Sequence, residues 1–377
     1  VKALVLAAGK GTRLMPITTY RPKHLLEIAG KTILKRLIDS LLAHEVIDDI
    51  VIVVHYYADL ITDQIKLWYS KNEIDRISFV KQKQTLGTGD AVISAIQEKE
   101  ILSDFLVVYG DLVIGDSINH MLDAYSLNPN RGYILGTKVN NPEKYGVLII
   151  KDSKFESIIE KPDNAPINAL INAGVYIFQK SAVQLISKLK PSSRNEIELT
   201  DLIHLLVETG NNIQVIESIS YWLDVGYPWE LLNANEKLLK AEKGKLTIEG
   251  IVEENTTIKG EVHIGKGAII RNGTYIEGPV YVDEGADIGP NCYLRSSTYI
   301  GKNVRIGNAC EIKNSLIYAN SHIAHLSYIG DSVIGQYCNL GAGTITANLR
   351  HDKANVKVTV NETRIDSGRR KLGAILG

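Results

Sequence analysis

No apolar run in this 377-residue chain approaches the roughly 18 residues that a helix needs to cross a bilayer. The start, VKALVLAAGKG, holds a short apolar stretch but lacks the n-region and cleavage site of a signal peptide, so it reads as a buried strand. Nor is there an excess of charge of either sign, since 42 Lys and Arg face 43 Asp and Glu. So even a balance gives no general attraction to nucleic acid or to an anionic membrane, and phosphate recognition must come from individually placed side chains. Cysteine is scarce too. Cys292, Cys310 and Cys338 lie far apart without Cys-x-x-Cys spacing, which argues against zinc and against a disulfide framework. These absences point to the cytoplasm, with no nucleic-acid and no membrane partner.

The length calls for two domains, and the pattern changes character between them. Up to about residue 240, short apolar runs alternate with amphipathic helical stretches. The runs at 3–8, 49–55, 105–111, 132–139, 147–150 and 174–178 read as strands; 33–44, 89–100 and 228–245 read as helices. Such alternation predicts an α/β, Rossmann-like domain with a mostly parallel sheet, binding its ligands beyond the carboxyl ends of the strands. After a linker at 241–250, an aliphatic residue recurs every six positions from Val252 to Ile312, with a second, usually small, residue four positions after each. A six-residue repeat of this kind predicts a parallel β-helix over 251–377, each coil made of three rungs and 18 residues. Cys292 and Cys310, 18 apart, then stack as small inward side chains, and Cys338 takes the same role. Past Ile312 the phase slips at Ile317, Ile323 and Ile329 and again at Ile334 and Leu340, and function is expected where the solenoid is interrupted. The last residues, LGAILG, read as the opening of another rung, so a C-terminal segment and an initiator Met are expected beyond the residues given.

The loop Leu6-Ala7-Ala8-Gly9-Lys10-Gly11-Thr12-Arg13 follows the first strand. Small residues let backbone amides approach a triphosphate, and Arg13 adds a fixed charge. It is neither a Walker loop nor a dinucleotide fingerprint, and taken alone it is weak evidence, since a minority of such loops are tight turns only. The longer stretch GKGTRLMPITTYRPKHLLEIAGKTIL (9–34) resembles the signature of the sugar-phosphate nucleotidylyltransferases. The blocks at 82–91, 108–111, 144–148, 158–162, 171–178 and 221–229 match that family in order. The resemblance implies roles: Arg13 and Lys23 as catalytic cations, Gln82, Gly87 and Thr88 on the nucleoside, Gly146, Glu160 and Asn172 on the sugar, Lys161 on its phosphate, and Asp111 with Asp224 on Mg²⁺. Each has a plainer reading outside the pattern. Asp111 could cap a helix, Lys23 could be a solvated loop lysine, and Glu160 with Lys161 could be an exposed ion pair of little value. The implied chemistry is coherent, because a phosphate oxygen that is already an anion needs cations and positioning more than a base.

In the second half, IAHLSYIGDSVIGQYCNLGAGTITANLR (323–350) resembles the acetyltransferase domain of the bifunctional sugar-1-phosphate enzymes of bacteria and archaea. This implies that Arg295, Lys313, Tyr328, Asn339 and Asn348 bind an amino-sugar phosphate, that His325 is the general base and that Ala342 contacts acetyl-CoA. An attacking amine must lose a proton near neutral pH, which suits imidazole. His322 reads as a surface residue. Leu349 stands where bacterial relatives carry an aromatic residue, and the polar excursion 350–371 is longer than theirs, which leaves further acetyl-CoA contacts open.

The expected enzyme moves a nucleotidyl group from UTP or dTTP to N-acetylglucosamine 1-phosphate or glucose 1-phosphate, and acetylates an amino-sugar 1-phosphate. A homotrimer is expected, with acetyl-transfer sites between neighbouring β-helices. The alternative keeps nucleotidyl transfer alone and makes the β-helix an assembly or regulatory module.

Overall fold

The first half is held together by strands that are apolar without alternation. Ile50–Val54, IVIVV, is buried at all five positions, as a strand covered on both faces must be. A computed structural model describes all residues except 153, 193, 194, 243, 245 and 246. Nine strands among the described residues form one sheet: β1 (Lys2–Ala7), β2 (Ile50–Val54), β3 (Ile77–Lys81), β4 (Phe105–Tyr109), β5 (Gly132–Lys138), β6 (Gly146–Lys151), β7 (Lys154–Glu160), β8 (Leu170–Phe178) and β9 (Ile213–Glu217). The order runs β7-β6-β8-β4-β1-β2-β3, with β5 joining β8 and β9 joining β5. The block β4-β1-β2-β3 is parallel, while β8 runs antiparallel to β4, β5 and β6.

Helices cover this sheet with one apolar stripe each. In α1 (Ile33–Ala43) the buried residues Ile33, Leu34, Leu37, Ile38 and Leu41 recur at helical spacing. The strands β3, β7 and β9 were not foreseen. Each carries interleaved polar residues, as in ISFVK and IQVIE, which weaken the apolar signal.

The hexapeptide half is a left-handed β-helix whose rungs form three parallel sheets of six, five and six strands. Register confirms the coil length: Ile270 pairs with Ile288 and Ile288 with Ile306, 18 residues apart each time. The anchors from Ile264 to Ile334 are fully buried, and burying an Ile side chain contributes about 1.5–3 kcal/mol. The first anchor, Val252, is exposed and Ile258 only partly buried, because they lie in the first coil of the stack. Burial also pushes the Cys292 thiol up to about 11, as suits an inert core cysteine.

From Ile312 onward each coil is one residue shorter. Ile306 pairs with Ile323 and Ile312 with Ile329, 17 residues apart. No loop leaves the solenoid here, contrary to the expectation drawn from the phase slip. Instead two corners, Lys313–Leu316 and Gly330–Val333, are each shortened by one residue, and serine hydroxyls complete them. Ser315 Oγ donates to Lys313 O and accepts from Ser332 N, while Ser332 Oγ donates to Gly330 O and accepts from Ala374 N. The true excursion comes later, as the antiparallel hairpin Lys357–Val360 with Thr363–Asp366, after which Ile375–Leu376 returns to pair with Val333–Ile334.

By compactness the chain divides into a first unit of 1–10 and 33–224 and a second of 11–32 and 225–377. Residues 11–32 therefore group with the β-helix, as does the helix Pro228–Ala241. The expected linker at 241–250 falls in part on 243, 245 and 246, outside the described residues.

Candidate active sites

In the first unit the strand order reverses beside β1: β2 and β3 extend on one side, β4 lies on the other. Open α/β sheets bind ligands at such a reversal, beyond the carboxyl ends. Both β1 and β4 end there, with Leu6 paired to Tyr109. Leu6, Ala7 and Ala8 are buried or nearly so, and Gly9 emerges into solvent. Gly110 N donates to Leu6 O at 2.9 Å, and a Cβ on Gly110 would lie 2.9 Å from that same oxygen. Glycine thus allows Asp111 to be carried close beside the loop that follows β1.

Asp111 opens a short ladder, Leu112–Ile114 with Trp222–Asp224, in which Asp224 stands opposite Leu112. Both expected metal carboxylates therefore sit at one end of the same ladder. No cluster of three or more His, Cys, Asp or Glu side chains able to hold a metal exists among the described residues. Two carboxylates nevertheless fit Mg²⁺, which keeps several waters and takes substrate phosphate oxygens as ligands.

The expected nucleoside residues form a braced corner. Gln82 is buried, and its Nε2 donates to Asp90 Oδ2 at 2.6 Å and to Gly87 O at 3.4 Å. Gly87 has φ 107°, and a Cβ there would lie 2.6 Å from Ile197 O, so only glycine fits. Thr88 Oγ1 accepts from Leu199 N, tying this corner to the helix Leu199–Glu208.

The expected sugar residues cluster on the antiparallel strands. Gly146 and Glu160 are cross-strand partners, and a Cβ on Gly146 would lie 2.9 Å from Glu160 Oε1. Lys161 has φ 43°, and its N–H donates to Tyr145 O. Glu160 and Lys161 line an open cleft of about 530 Å³ shared with Glu198, Asp201 and His204. Asn172 occupies a bulge in β8, and its Nδ2 donates to the Tyr176 hydroxyl at 2.7 Å. Burial raises the Tyr176 and Tyr109 phenols, so both remain protonated hydrogen-bonding groups. Trp222, whose Nε1 donates to Ala173 O, braces the bulge.

Arg13 and Lys23, the two expected catalytic cations, lie in the second unit. Gly11, at φ 72°, packs against the Lys23 stem, with its Cβ position 3.4 Å from Lys23 Cβ. Thr18 Oγ1 donates to Gly11 O at 2.8 Å, which closes the loop upon itself. The exposed Arg13 guanidinium stacks 5.2 Å from the Tyr227 ring centroid.

Some of the expected β-helix residues lie around the two shortened corners, and the others do not. Lys313 and Gly330 pair in register, Arg295 follows the anchor Leu294 one coil earlier, and Tyr328 pairs with Glu311. At their centre is Asp331, a buried carboxylate absent from the sequence-based set. It accepts from Asn314 Nδ2 at 2.6 Å and Asn348 Nδ2 at 2.7 Å, with Lys313 Nζ at 3.4 Å and Arg369 Nη2 at 3.5 Å. Asn348 Nδ2 also donates to the Tyr328 hydroxyl at 3.1 Å. Three of the five expected amino-sugar residues, Lys313, Tyr328 and Asn348, are thereby joined in one network. Arg295 pairs instead with Glu311 at 2.9 Å.

His325 ends the strand His322–His325, exposed, and has no side-chain hydrogen bond among the described residues. Gly343 N donates to His325 O, so Ala342 and the imidazole belong to adjacent coils. Asn339 is exposed and pairs with His322. Asp331 and Arg369 escaped notice because a Gly-Asp corner and a hairpin arginine carry no local mark of burial.

A model of the nucleotidyl transferase family matches residues 2–241. One described as the GMPPB C-terminal domain matches 276–367. Across its whole length the chain is 44% identical to the bifunctional protein GlmU of Methanocaldococcus jannaschii, spanning 87% of that protein. It is likewise 42% identical to a bifunctional sugar-1-phosphate nucleotidylyltransferase/acetyltransferase of Sulfurisphaera tokodaii, spanning 90% of it. A crystal structure described as a glucose-1-phosphate thymidylyltransferase from Bacillus anthracis aligns with TM-score 0.55 at 26% identity, covering 62% of this chain and 93% of that one.

Proposed function

This chain belongs to the nucleotidyl transferase family, and from that premise we propose a bifunctional enzyme that acetylates an amino-sugar 1-phosphate and couples a sugar 1-phosphate to UTP or dTTP. The observation that carries nucleotidyl transfer is the ladder that sets Asp111 and Asp224 at one end, beside the loop after β1. A bound Mg²⁺ would neutralise charge on the triphosphate there. Gln82, Gly87 and Thr88 receive the nucleoside against the backbone of Leu6 to Gly9. Gly146, Glu160 and Asn172 hold the sugar hydroxyls, and Lys161 its phosphate. That phosphate's oxygen attacks the α-phosphorus, the bond to the β-phosphate oxygen breaks and pyrophosphate leaves. Arg13 and Lys23 offset the charge that accumulates between two anions.

Acetyl transfer is favoured over a purely structural β-helix by the network joining Lys313, Tyr328 and Asn348 at Asp331. A buried polar cluster of this kind costs desolvation that a scaffold would avoid with apolar residues. His325 Nε2 or Nδ1 takes the amine proton as the nitrogen attacks the thioester carbonyl, and coenzyme A departs as thiolate. Arg295, Lys313, Tyr328, Asn339 and Asn348 hold the amino-sugar phosphate, and the backbone at Ala342 meets acetyl-CoA. These substrates suit the cytoplasm. No helix among the described residues is long and apolar enough to cross a membrane.

A matrix of UTP and dTTP against glucose, N-acetylglucosamine, glucosamine and galactosamine 1-phosphates tests the reading, with pyrophosphate and coenzyme A release measured separately. Release of pyrophosphate with one triphosphate, and of coenzyme A with an amino sugar alone, is expected. No coenzyme A release with any amino sugar would make the β-helix an assembly module. We further propose a homotrimer along the β-helices, whose flat faces suit cyclic packing. Sedimentation at micromolar concentration should give three times the monomer mass, and a monomer would overturn it.

A further inference from the structure

We propose that the β-helix positions a catalytic cation of nucleotidyl transfer, with Glu27, Tyr299 and Tyr318 as positioning residues for Lys23. This rests on the assignment of Lys23 above. Segment 11–32 carries both cations and the family signature, yet it belongs to the same compact unit as the β-helix.

The seat follows one face of the solenoid. Tyr281, Tyr299 and Tyr318 stack there on successive coils, with ring centroids 5.8 and 6.2 Å apart. Any side chain at Gly30 would collide with the Tyr281 ring. The Tyr299 hydroxyl lies 3.1 Å from Glu27 Oε2 and equally from Asp283 Oδ2, so its one proton is shared between the two carboxylates, and Tyr318 donates to Glu27 O at 3.1 Å. Both phenols are buried, so these are hydrogen bonds made away from water. The other Glu27 oxygen receives Arg21 Nη2 at 3.2 Å. Two residues on, Ala29 N donates to Asn235 Oδ1, and Asn235 Nδ2 donates to Ser297 O of the solenoid. A side chain at Gly377 would meet Pro16.

The segment is thus fastened at Pro16, Glu27, Ala29 and Gly30, with Lys23 between the fastenings and Gly11 packed against it. A long connection is normally free to move, and the entropy of ordering it must be met by such contacts. Displacing a charge by about 1 Å from a phosphate in flight costs on the order of 10²-fold in rate. Loosening the tyrosine hydroxyls should therefore act on nucleotidyl transfer, although neither tyrosine belongs to the α/β half.

The test is the Tyr299→Phe, Tyr318→Phe double variant of the full chain, with Glu27→Gln as a milder second variant. Pyrophosphate release with the triphosphate and sugar 1-phosphate accepted by the wild type is followed, alongside coenzyme A release. A fall in kcat for pyrophosphate release of about 10- to 10²-fold is expected. KM for the sugar 1-phosphate should stay within about twofold, because Glu160 and Asn172 are not touched. Unchanged kcat in both variants, or equal losses of the two activities, would overturn the proposal. Lys23→Ala, run beside them, separates two failures. Full activity in Lys23→Ala removes the cation from the mechanism and the proposal with it. A dead Lys23→Ala beside a fully active double variant overturns the positioning alone.

Discussion

Removing the Asp331 carboxylate should disable the β-helix site without touching the other activity. Its side chain is about 3% exposed, against 20% for Lys313 and 14% for Arg369. Asp331→Ala takes the shared counter-charge away from those two cations and frees the amides of Asn314 and Asn348. Removing one partner of a buried ion pair costs about 3–5 kcal/mol, and the partly exposed cations place this case at the lower end, about 3 kcal/mol. At 1.4 kcal/mol per decade, local opening should become about 10²-fold more frequent. Native-state hydrogen exchange reads this at the amides of Gly373, which donates to Asp331 O, and of Ser332. The KM for the amino-sugar 1-phosphate should rise at least about 10-fold as Asn348 and Lys313 lose their anchor, with pyrophosphate release unaltered. Exchange within about threefold of wild type, together with an unchanged KM, would refute the reasoning.

Asp111→Asn or Lys23→Ala should each lower pyrophosphate release by at least about 10²-fold in the presence of Mg²⁺; near-normal turnover in both would remove them from the catalytic set. Asp283 offers a pH prediction. Burial raises its carboxyl above the usual range, helped by Glu27 and opposed by the Glu284 amide, Lys302 and the Tyr299 hydroxyl. A raised carboxylate stabilises the fold below its unfolded pKa and loses that contribution as pH climbs through its folded value. Asp283→Asn should accordingly raise Tm relative to wild type at pH 8, by more than it does at pH 4. A difference independent of pH would contradict this.

Much of the fold could be read from residue order because stacking repeats the same constraint at every coil. An inward position admits only an apolar side chain, so Ile270, Ile288 and Ile306 announce themselves. The shortening at 312–317 was visible as a phase slip, but its consequence was not. A slip of this kind promises a loop, whereas serine hydroxyls at 315 and 332 close the corner tightly and set Asp331 beneath Asn314. Strands such as Ile213–Glu217 stayed hidden because polar residues interrupt their apolar runs. The seat of residues 11–32 was equally invisible. Glu27 and Tyr299 are 272 positions apart, and no local pattern links them.

The claim of two activities in one chain is tested most directly by His325→Ala in the full-length protein, with both products measured on one preparation. The account predicts that coenzyme A release from acetyl-CoA and the amino-sugar 1-phosphate falls by about 10²- to 10⁴-fold, the range for losing a general base, while pyrophosphate release is unchanged. Undiminished coenzyme A release would contradict it, and so would a parallel loss of both products.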